Sequence, residues 1–336
     1  MSNAVIFGCA GPQLDAAEVA FFRETQPLGF ILFARNIVNP EQIRGLTTAL
    51  RDAIDRPDAP ILIDQEGGRV QRLRPPQWRA VPAAATFGAL AQRDRLMAQR
   101  AVYLNHRLIA AELVDLGITV DCAPLLDIRF PDAHDVVGDR SFGGDIDLIS
   151  DLGRFAADGL MAGGVMPVIK HIPGHGRSLV DTHLDLPRVT TDRATLSATD
   201  FRPFIALKDM PWGMTAHLIY EAIDRDHPAT LSPRVIGDVV RGEIGFDGLL
   251  LTDDLSMKAL RGTFTDLAAQ SLASGCDIVL HCNGDMSEMR QVAAGLSPLS
   301  PAAKARYERG QVRLRAMADS AIDPQHMRAE LDRLIG

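Results

Sequence analysis

Apolar runs of strand length recur along the chain at near-regular intervals: VIFGC (5–9), GFILFAR (29–35), PILIDQE (60–66), ITVDCAPL (118–125), VMPVIKH (165–171), GMTAHLIY (213–220), GLLLTDD (248–254) and CDIVLHCN (276–283). Between them lie stretches whose apolar residues return every three or four positions, the period of a helix with one buried face. Examples are 39-NPEQIRGLTTALRDAI-54, 146-IDLISDLGRFAADGLMAGG-164 and 232-SPRVIGDVVRGEIG-245, each stopping near a glycine or an equivalent breaker. The strand segments are almost continuously apolar, which suits a parallel sheet covered on both faces better than an antiparallel sheet open to water. Eight strand-helix units predict an α/β protein of the (β/α)8, TIM-barrel class, with a doubly wound sheet as the structural alternative. After the eighth strand the helical pattern is doubled, at 301–322 and 324–335. No linker, repeat or low-complexity tract marks a second domain, so residues 1–336 are expected to form one barrel domain with extra C-terminal helices from about 300 to 336.

Composition narrows the class without changing it. Hydrophobic residues make up 46% of the chain and charged residues 23%, which excludes a disordered or fibrous protein. A formal net charge of -8 with intermixed signs argues against a nucleic-acid surface, which needs clustered Lys and Arg. No apolar run reaches bilayer length, and the start MSNAVIFGCAG lacks the basic region of a signal peptide, so a cytoplasmic location is expected. Cys9, Cys122, Cys276 and Cys282 sit in or beside apolar runs without zinc-type spacing and are expected to be buried thiols.

In a barrel of this kind chemistry gathers at the C-terminal ends of the strands, so the polar residues that end the apolar runs form one candidate rim. They are Asp64, Gln65, Glu66, Asp127, Lys170, His171, His217, Asp253, Asp254, His281 and Asn283. Any one of them could simply hydrogen-bond its own loop. The segment 170-KHIPGHGRSLVDTHLD-185 is the densest in titratable groups. Pro173-Gly174 prevents His171 and His175 from sharing a helix face as zinc ligands would, although a folded loop could bring His175, Asp181 and His183 around a metal. In Asp181-Thr182-His183 the carboxylate can instead fix one imidazole tautomer and make the histidine a general acid/base. In 250-LLTDDLSM-257 either Asp253 or Asp254 could serve as a nucleophile, the other capping a helix or pairing with a lysine. Gly67-Gly68 is compatible with a phosphate cradle or with a tight turn. Lys170 at a strand end leaves a Schiff-base aldolase open.

The stretches DQEGGRVQRLR (64–74), GDRSFG (138–143), KHIPGHG (170–176) with DTH (181–183), MTAHLIY (214–220) and TDDLSM (252–257) resemble, in order and spacing, the single-domain β-N-acetylglucosaminidases of glycoside hydrolase family 3. Ile172 stands where that family usually shows Phe, a conservative change. The resemblance implies a retaining glycosidase that removes terminal β-linked N-acetylglucosamine, with peptidoglycan fragments as the usual substrate in cell-wall recycling. It aligns Asp253 with the nucleophile, His183 with the acid/base and Asp181 with its partner. It aligns Asp64, Arg72, Arg140, Lys170 and His171 with residues that hold the sugar hydroxyls or acetamido group. The implied partner is a carbohydrate, a muropeptide or chitooligosaccharide, and no metal, cofactor, nucleic acid or membrane enters; a monomer is expected. Gly174 and Gly176 are read as giving the acid/base loop freedom to close over the sugar. A phosphorylase using phosphate in place of water, and a sugar-binding protein without catalysis, are the other readings.

Overall fold

The computed structural model describes residues 2–131, 135–178, 186–319 and 323–336. Eight parallel strands close into a barrel: β1 (Asn3–Gly8), β2 (Pro27–Leu32), β3 (Ile61–Ile63), β4 (Val120–Asp121), β5 (Met166–Ile172), β6 (Trp212–Thr215), β7 (Leu249–Asp254) and β8 (Ile278–His281). Each pairs with its neighbours in sequence, and β1 pairs with β8 to close the ring through Val5 opposite Val279. The TIM-type barrel predicted from the apolar runs is the fold observed, and the doubly wound alternative is excluded by that closure.

Period-two alternation explains why runs that look uniformly apolar still have two faces. In β1 to β3, Ile6, Ile31 and Leu62 belong to one packed cluster, while Val5, Phe7, Phe30 and Ile63 belong to another. The second cluster contains Phe21 and Phe22 of α1 (Ala16–Thr25) and Ile43, Leu46 and Leu50 of α2 (Pro40–Ala53). Truncating a fully buried ring such as Phe7 to Ala would cost about 3–5 kcal/mol through lost burial and the cavity left behind. The helices begin where side chains accept otherwise unpaired backbone N–H groups. Asp15 caps α1 with Glu18 returning the bond, and Asn39 caps α2.

Three segments depart from the sequence expectation. The fourth strand, expected over 118–125, is regular only at Val120–Asp121, because Pro124 has no N–H to offer; pairing resumes irregularly where Leu126 N–H reaches the Lys170 carbonyl at 2.8 Å. The sixth run leaves the barrel after Thr215, and Ile219–Tyr220 pairs with Arg188–Val189 as a separate two-stranded sheet. The helix expected over 232–245 is a π-helix at Val235–Glu243, with Ile244 N–H bonded to the Val239 carbonyl, five residues back, at 2.8 Å. Gly242 lies close against the preceding turn: a Cβ there would lie 3.2 Å from the Gly237 carbonyl oxygen.

Between β3 and β4 run α3 (Ala84–Ala91) and α4 (Arg95–Asp115), and α5 (Ile146–Ala162) leads into β5. After β5 come α6 (Arg193–Ala198) and α7 (Arg202–Ala206), and α8 (Phe264–Ser274) and α9 (Met286–Ala294) flank β8. The extra C-terminal helices are α10 (Pro301–Met317) and α11 (Pro324–Ile335), the latter lying on α4 with Leu331 buried and Arg100 bonded to Glu330 at 2.8 Å. All four cysteines are buried free thiols. Among the described residues no helix is long and apolar enough to cross a membrane.

Candidate active site

A cavity of about 270 Å³ opens at the C-terminal ends of the strands. Its polar lining is Asp64, Arg72, Arg140, Lys170, His171, His175, Asp253 and Asp254, with Phe33, Val137, Met214, Met257 and Cys282 among the apolar residues. All of the sequence-predicted sugar-holding residues therefore meet in one place. Asp181 and His183 lie outside the described residues.

Alternation places Asp64: it follows Leu62 by two along β3 and so faces inward at the rim. Its Oδ1 accepts from Lys170 Nζ at 3.0 Å and its Oδ2 from Arg72 Nη2 at 3.0 Å. Lys170 Nζ also lies 2.7 Å from Glu66 Oε1, and Glu66 receives a two-pronged bond from Arg140 at 2.8 and 2.7 Å. The result is a continuous row, Arg72–Asp64–Lys170–Glu66–Arg140, of alternating sign. Three cations against two carboxylates leave it one positive charge in excess. Burial alone would raise the Asp64 carboxyl, but Lys170 and Arg72 together outweigh it and hold the group well below its usual range. For Glu66 burial is likewise outweighed, by Arg140 and Lys170, and the value falls to about 2. Burial would strip the proton from Lys170, yet Asp64 and Glu66 reverse that and raise its pKa. A lysine so held is an ammonium hydrogen-bond donor and a poor amine nucleophile, which removes the basis of the Schiff-base reading.

A second carboxylate, Asp127, organises the histidines. Its Oδ2 lies 2.8 Å from His171 Nδ1, and its Oδ1 accepts the backbone N–H groups of His171 at 3.3 Å and His175 at 2.6 Å. With Nδ1–H given to Asp127, His171 presents Nε2 away from that bond. Burial lowers the pKa of His175 to about 4, with His171 acting in the same direction, so this ring is neutral. The glycines at the start of the loop lie in close backbone contact. A Cβ on Gly176 would lie 2.1 Å from the Ile128 carbonyl oxygen, and the Gly174 carbonyl accepts from Tyr220 Oη at 2.6 Å. Among the described residues no group of three or more His, Cys, Asp or Glu is arranged to hold a metal ion. Gly67-Gly68 leads into the tight turn of the hairpin that pairs Gln65 with Gln71, and Gly68 N–H is spent on the Val81 carbonyl at 2.9 Å, so the glycine pair forms a turn and not a phosphate cradle.

The two aspartates ending β7 have different surroundings. Asp254 is saturated: Oδ1 accepts from Ser256 N and Cys282 N, both at 3.0 Å, and Oδ2 from Ser256 Oγ at 2.6 Å. It ties the loop after β7 to the end of β8, and among the described residues it neither caps a helix nor pairs with a lysine. Asp253 takes one hydrogen bond among the described residues, from Asp254 N–H to Oδ1 at 2.8 Å. Burial would raise its carboxyl, but His217, His171, the Asp254 N–H and Lys170 outweigh burial and lower it, so Asp253 is ionised in the cavity wall. His217 lies behind it, Nδ1 2.7 Å from Thr230 Oγ1 and Nε2 3.0 Å from the Asp254 carbonyl oxygen. His281 and Asn283 do not join the site. Both turn to Glu288 on α9, His281 through Nε2 at 3.1 Å. Gln65 also points away, holding the Arg72 and Leu73 N–H groups through Oε1 at 2.9 and 3.0 Å.

Sequence reasoning assigned Glu66 no role beyond its place on the rim. Its position two residues after Asp64 was the available signal, since both carboxylates then reach the same lysine.

The model of the glycosyl hydrolase family 3 N-terminal domain matches residues 12–316. A β-hexosaminidase of Alkalilimnicola ehrlichii is 39% identical over 283 residues, covering 83% of this chain and 80% of that protein. One of Chromobacterium violaceum is 38% identical over 311 residues, covering 91% and 85%. Among solved structures, native NagZ from Neisseria gonorrhoeae superposes with a TM-score of 0.88 at 29% identity, covering 100% of this chain and 98% of that one. The same Neisseria protein in complex with N-trifluoroacetyl-D-glucosamine matches equally well, at a TM-score of 0.88 and 30% identity. Motifs, barrel and full-length likeness agree, and the chain belongs to glycoside hydrolase family 3, on the β-hexosaminidase branch that these relatives represent.

Proposed function

We propose that the protein is a retaining exo-β-N-acetylglucosaminidase that forms a covalent glycosyl-enzyme on Asp253. The observation that carries this reading is the contrast at the end of β7: Asp254 is consumed by three hydrogen bonds, while Asp253 is ionised, accepts one, and borders the cavity. A carboxylate kept charged in a partly closed site is suited to attack an anomeric carbon. Lys170, Arg72, Arg140 and Asp64 offer donors and acceptors to sugar hydroxyls and the acetamido group, and a cavity of about 270 Å³ favours one terminal sugar over a long chain.

His183, supported by Asp181, protonates the departing oxygen as the Asp253 ester forms. As a neutral imidazole it then takes a proton from the water that cleaves the ester. The relatives are named β-hexosaminidases, and the Neisseria structure holds a glucosamine derivative, which supports N-acetylglucosamine as the sugar. We assign as natural substrate the N-acetylglucosaminyl-anhydromuropeptides of cytoplasmic peptidoglycan recycling, acted on by a monomer.

Hydrolysis of such muropeptides alongside chitooligosaccharides tests the reading. The expected result is free N-acetylglucosamine from both, faster from the muropeptide. Sugar phosphate formed in phosphate buffer would replace hydrolase by phosphorylase, and no release from either would overturn it. His183→Ala should slow substrates with poor leaving groups far more than activated aryl glycosides; an equal loss on both would remove the acid role.

A further inference from the structure

One buried carboxyl beside the site has no place in the mechanism above. Asp121 lies on β4 opposite Ile63 of β3, and Ile63 packs in the cluster outside the barrel. Asp121 therefore faces away from the cavity, is 0% exposed and does not line it. Its Oδ1 accepts the backbone N–H of Gln65 at 3.0 Å, and its Oδ2 is buried without a hydrogen-bond partner among the described residues. Gln65 is the residue between Asp64 and Glu66, the two carboxylates that share Lys170.

We propose that Asp121 is a positioning residue for the sugar-holding row: it grips the Gln65 peptide and so sets how Asp64 and Glu66 meet Lys170. The inference rests on the assignment of that row to sugar binding.

An anionic Asp121 would place an unpaired charge in a dry layer, at far greater cost than an unpaired hydroxyl. The charged groups acting on it come from both neighbouring elements. Asp64 and Glu66 of the β3 hairpin oppose its ionisation, and Lys170 of β5 favours it. Burial is the largest influence and brings its pKa up to about 7, the Gln65 N–H and Lys170 offsetting only part. As pH rises past that value a third negative charge acts on Asp64, Glu66 and Lys170 from behind the strands, and the row's hold on the sugar weakens. Asp253 is not among the groups that act most strongly on Asp121. The change belongs in KM and not in kcat.

The test compares wild type with Asp121→Asn, which keeps an oxygen acceptor for Gln65 N–H but cannot ionise, and with Asp121→Ala, which has no acceptor. KM and kcat for an aryl β-N-acetylglucosaminide are measured from acid to alkaline pH. Wild-type KM is expected to rise several-fold across neutrality, Asp121→Asn to hold the low-pH KM throughout, and Asp121→Ala to show a raised KM at every pH with kcat less affected. Asp121→Asn should also melt higher than wild type on the alkaline side, because the neutral amide removes the cost of ionisation. A KM profile for Asp121→Asn that follows wild type through neutrality overturns the proposal, as does an Asp121→Asn protein that fails to fold at mildly acid pH. Absence of any hydrolysis by wild type would instead overturn the functional assignment, so the two failures are distinguishable.

Discussion

At the N-terminal end of the barrel, Arg306, Arg309 and Arg313 of α10 reach Asp247, Asp277 and Asp209, residues of the segments that enter β6, β7 and β8. At the C-terminal end, Arg72, Lys170 and Arg140 alternate with Asp64 and Glu66. The ingredients and the distances are alike, yet the settings differ. The lower cluster is mostly open, Arg309 and Asp247 exposing 56% and 68% of their side chains, with Asp277 alone buried at 5%, whereas Lys170 and Glu66 expose 3% and 7%. Charges facing water are screened and contribute little, while charges taken out of water depend on their partners. The lower cluster ties a helix to the barrel. The upper row holds charges in fixed places at a cost that fits the sugar-binding role proposed for it.

The largest expected effect comes from breaking the upper row. Lys170→Met leaves Asp64 and Glu66 buried without their shared cation, and the fold should lose about 3–5 kcal/mol in denaturant unfolding, with sugar binding lost as well. A loss within experimental error of zero would show that the row is far better solvated than its burial implies.

Acid sharpens the same contrast. Burial would raise Glu66, but Arg140 and Lys170 hold it at about 2 against an ordinary 4.5. A depressed carboxyl contributes stability that is fully present above pH 4.5 and is lost as pH falls through about 2. Unfolding free energy should therefore fall steeply over that interval, and added salt should change it little, because the pair is shielded from solvent. A fall that disappears in high salt would place the titrating pairs on the surface.

The smallest effect belongs to the lower face. Arg309→Ala should shift stability by no more than about 1 kcal/mol and leave hydrolysis unchanged, since Arg306 still bonds Asp247. A clear loss of activity would mean that the two ends of the barrel communicate.

The barrel was legible because burial on both faces forces continuous apolar runs, and eight such runs with helical spacers admit few folds. Its irregularities were less so. Pro124 could have foretold the short fourth strand, but nothing in the period of 232–245 separates an α-helix from a π-helix. The site was legible where a polar residue ends an inward-facing run, as with Asp64, Lys170 and Asp253. That same rule also collected His281 and Asn283, which Glu288 draws onto α9, a contact no local pattern reveals. Asp121 was passed over within ITVDCAPL, although a lone carboxylate inside an apolar run always requires an explanation. The Asp181 and His183 pairing, read from spacing and family likeness, falls outside the described residues.

Asp253, and not its neighbour, is proposed to bond to the sugar. Treatment with a slow-turnover fluorinated N-acetylglucosamine analogue, digestion and mass spectrometry of the peptide containing 250-LLTDDLSM-257 tests it directly. One sugar adduct is expected on Asp253, abolished in Asp253→Ala and retained in Asp254→Asn. An adduct on Asp254, or a fully active enzyme with no adduct and strong inhibition by a thiazoline mimic of a cyclised acetamido group, would contradict it.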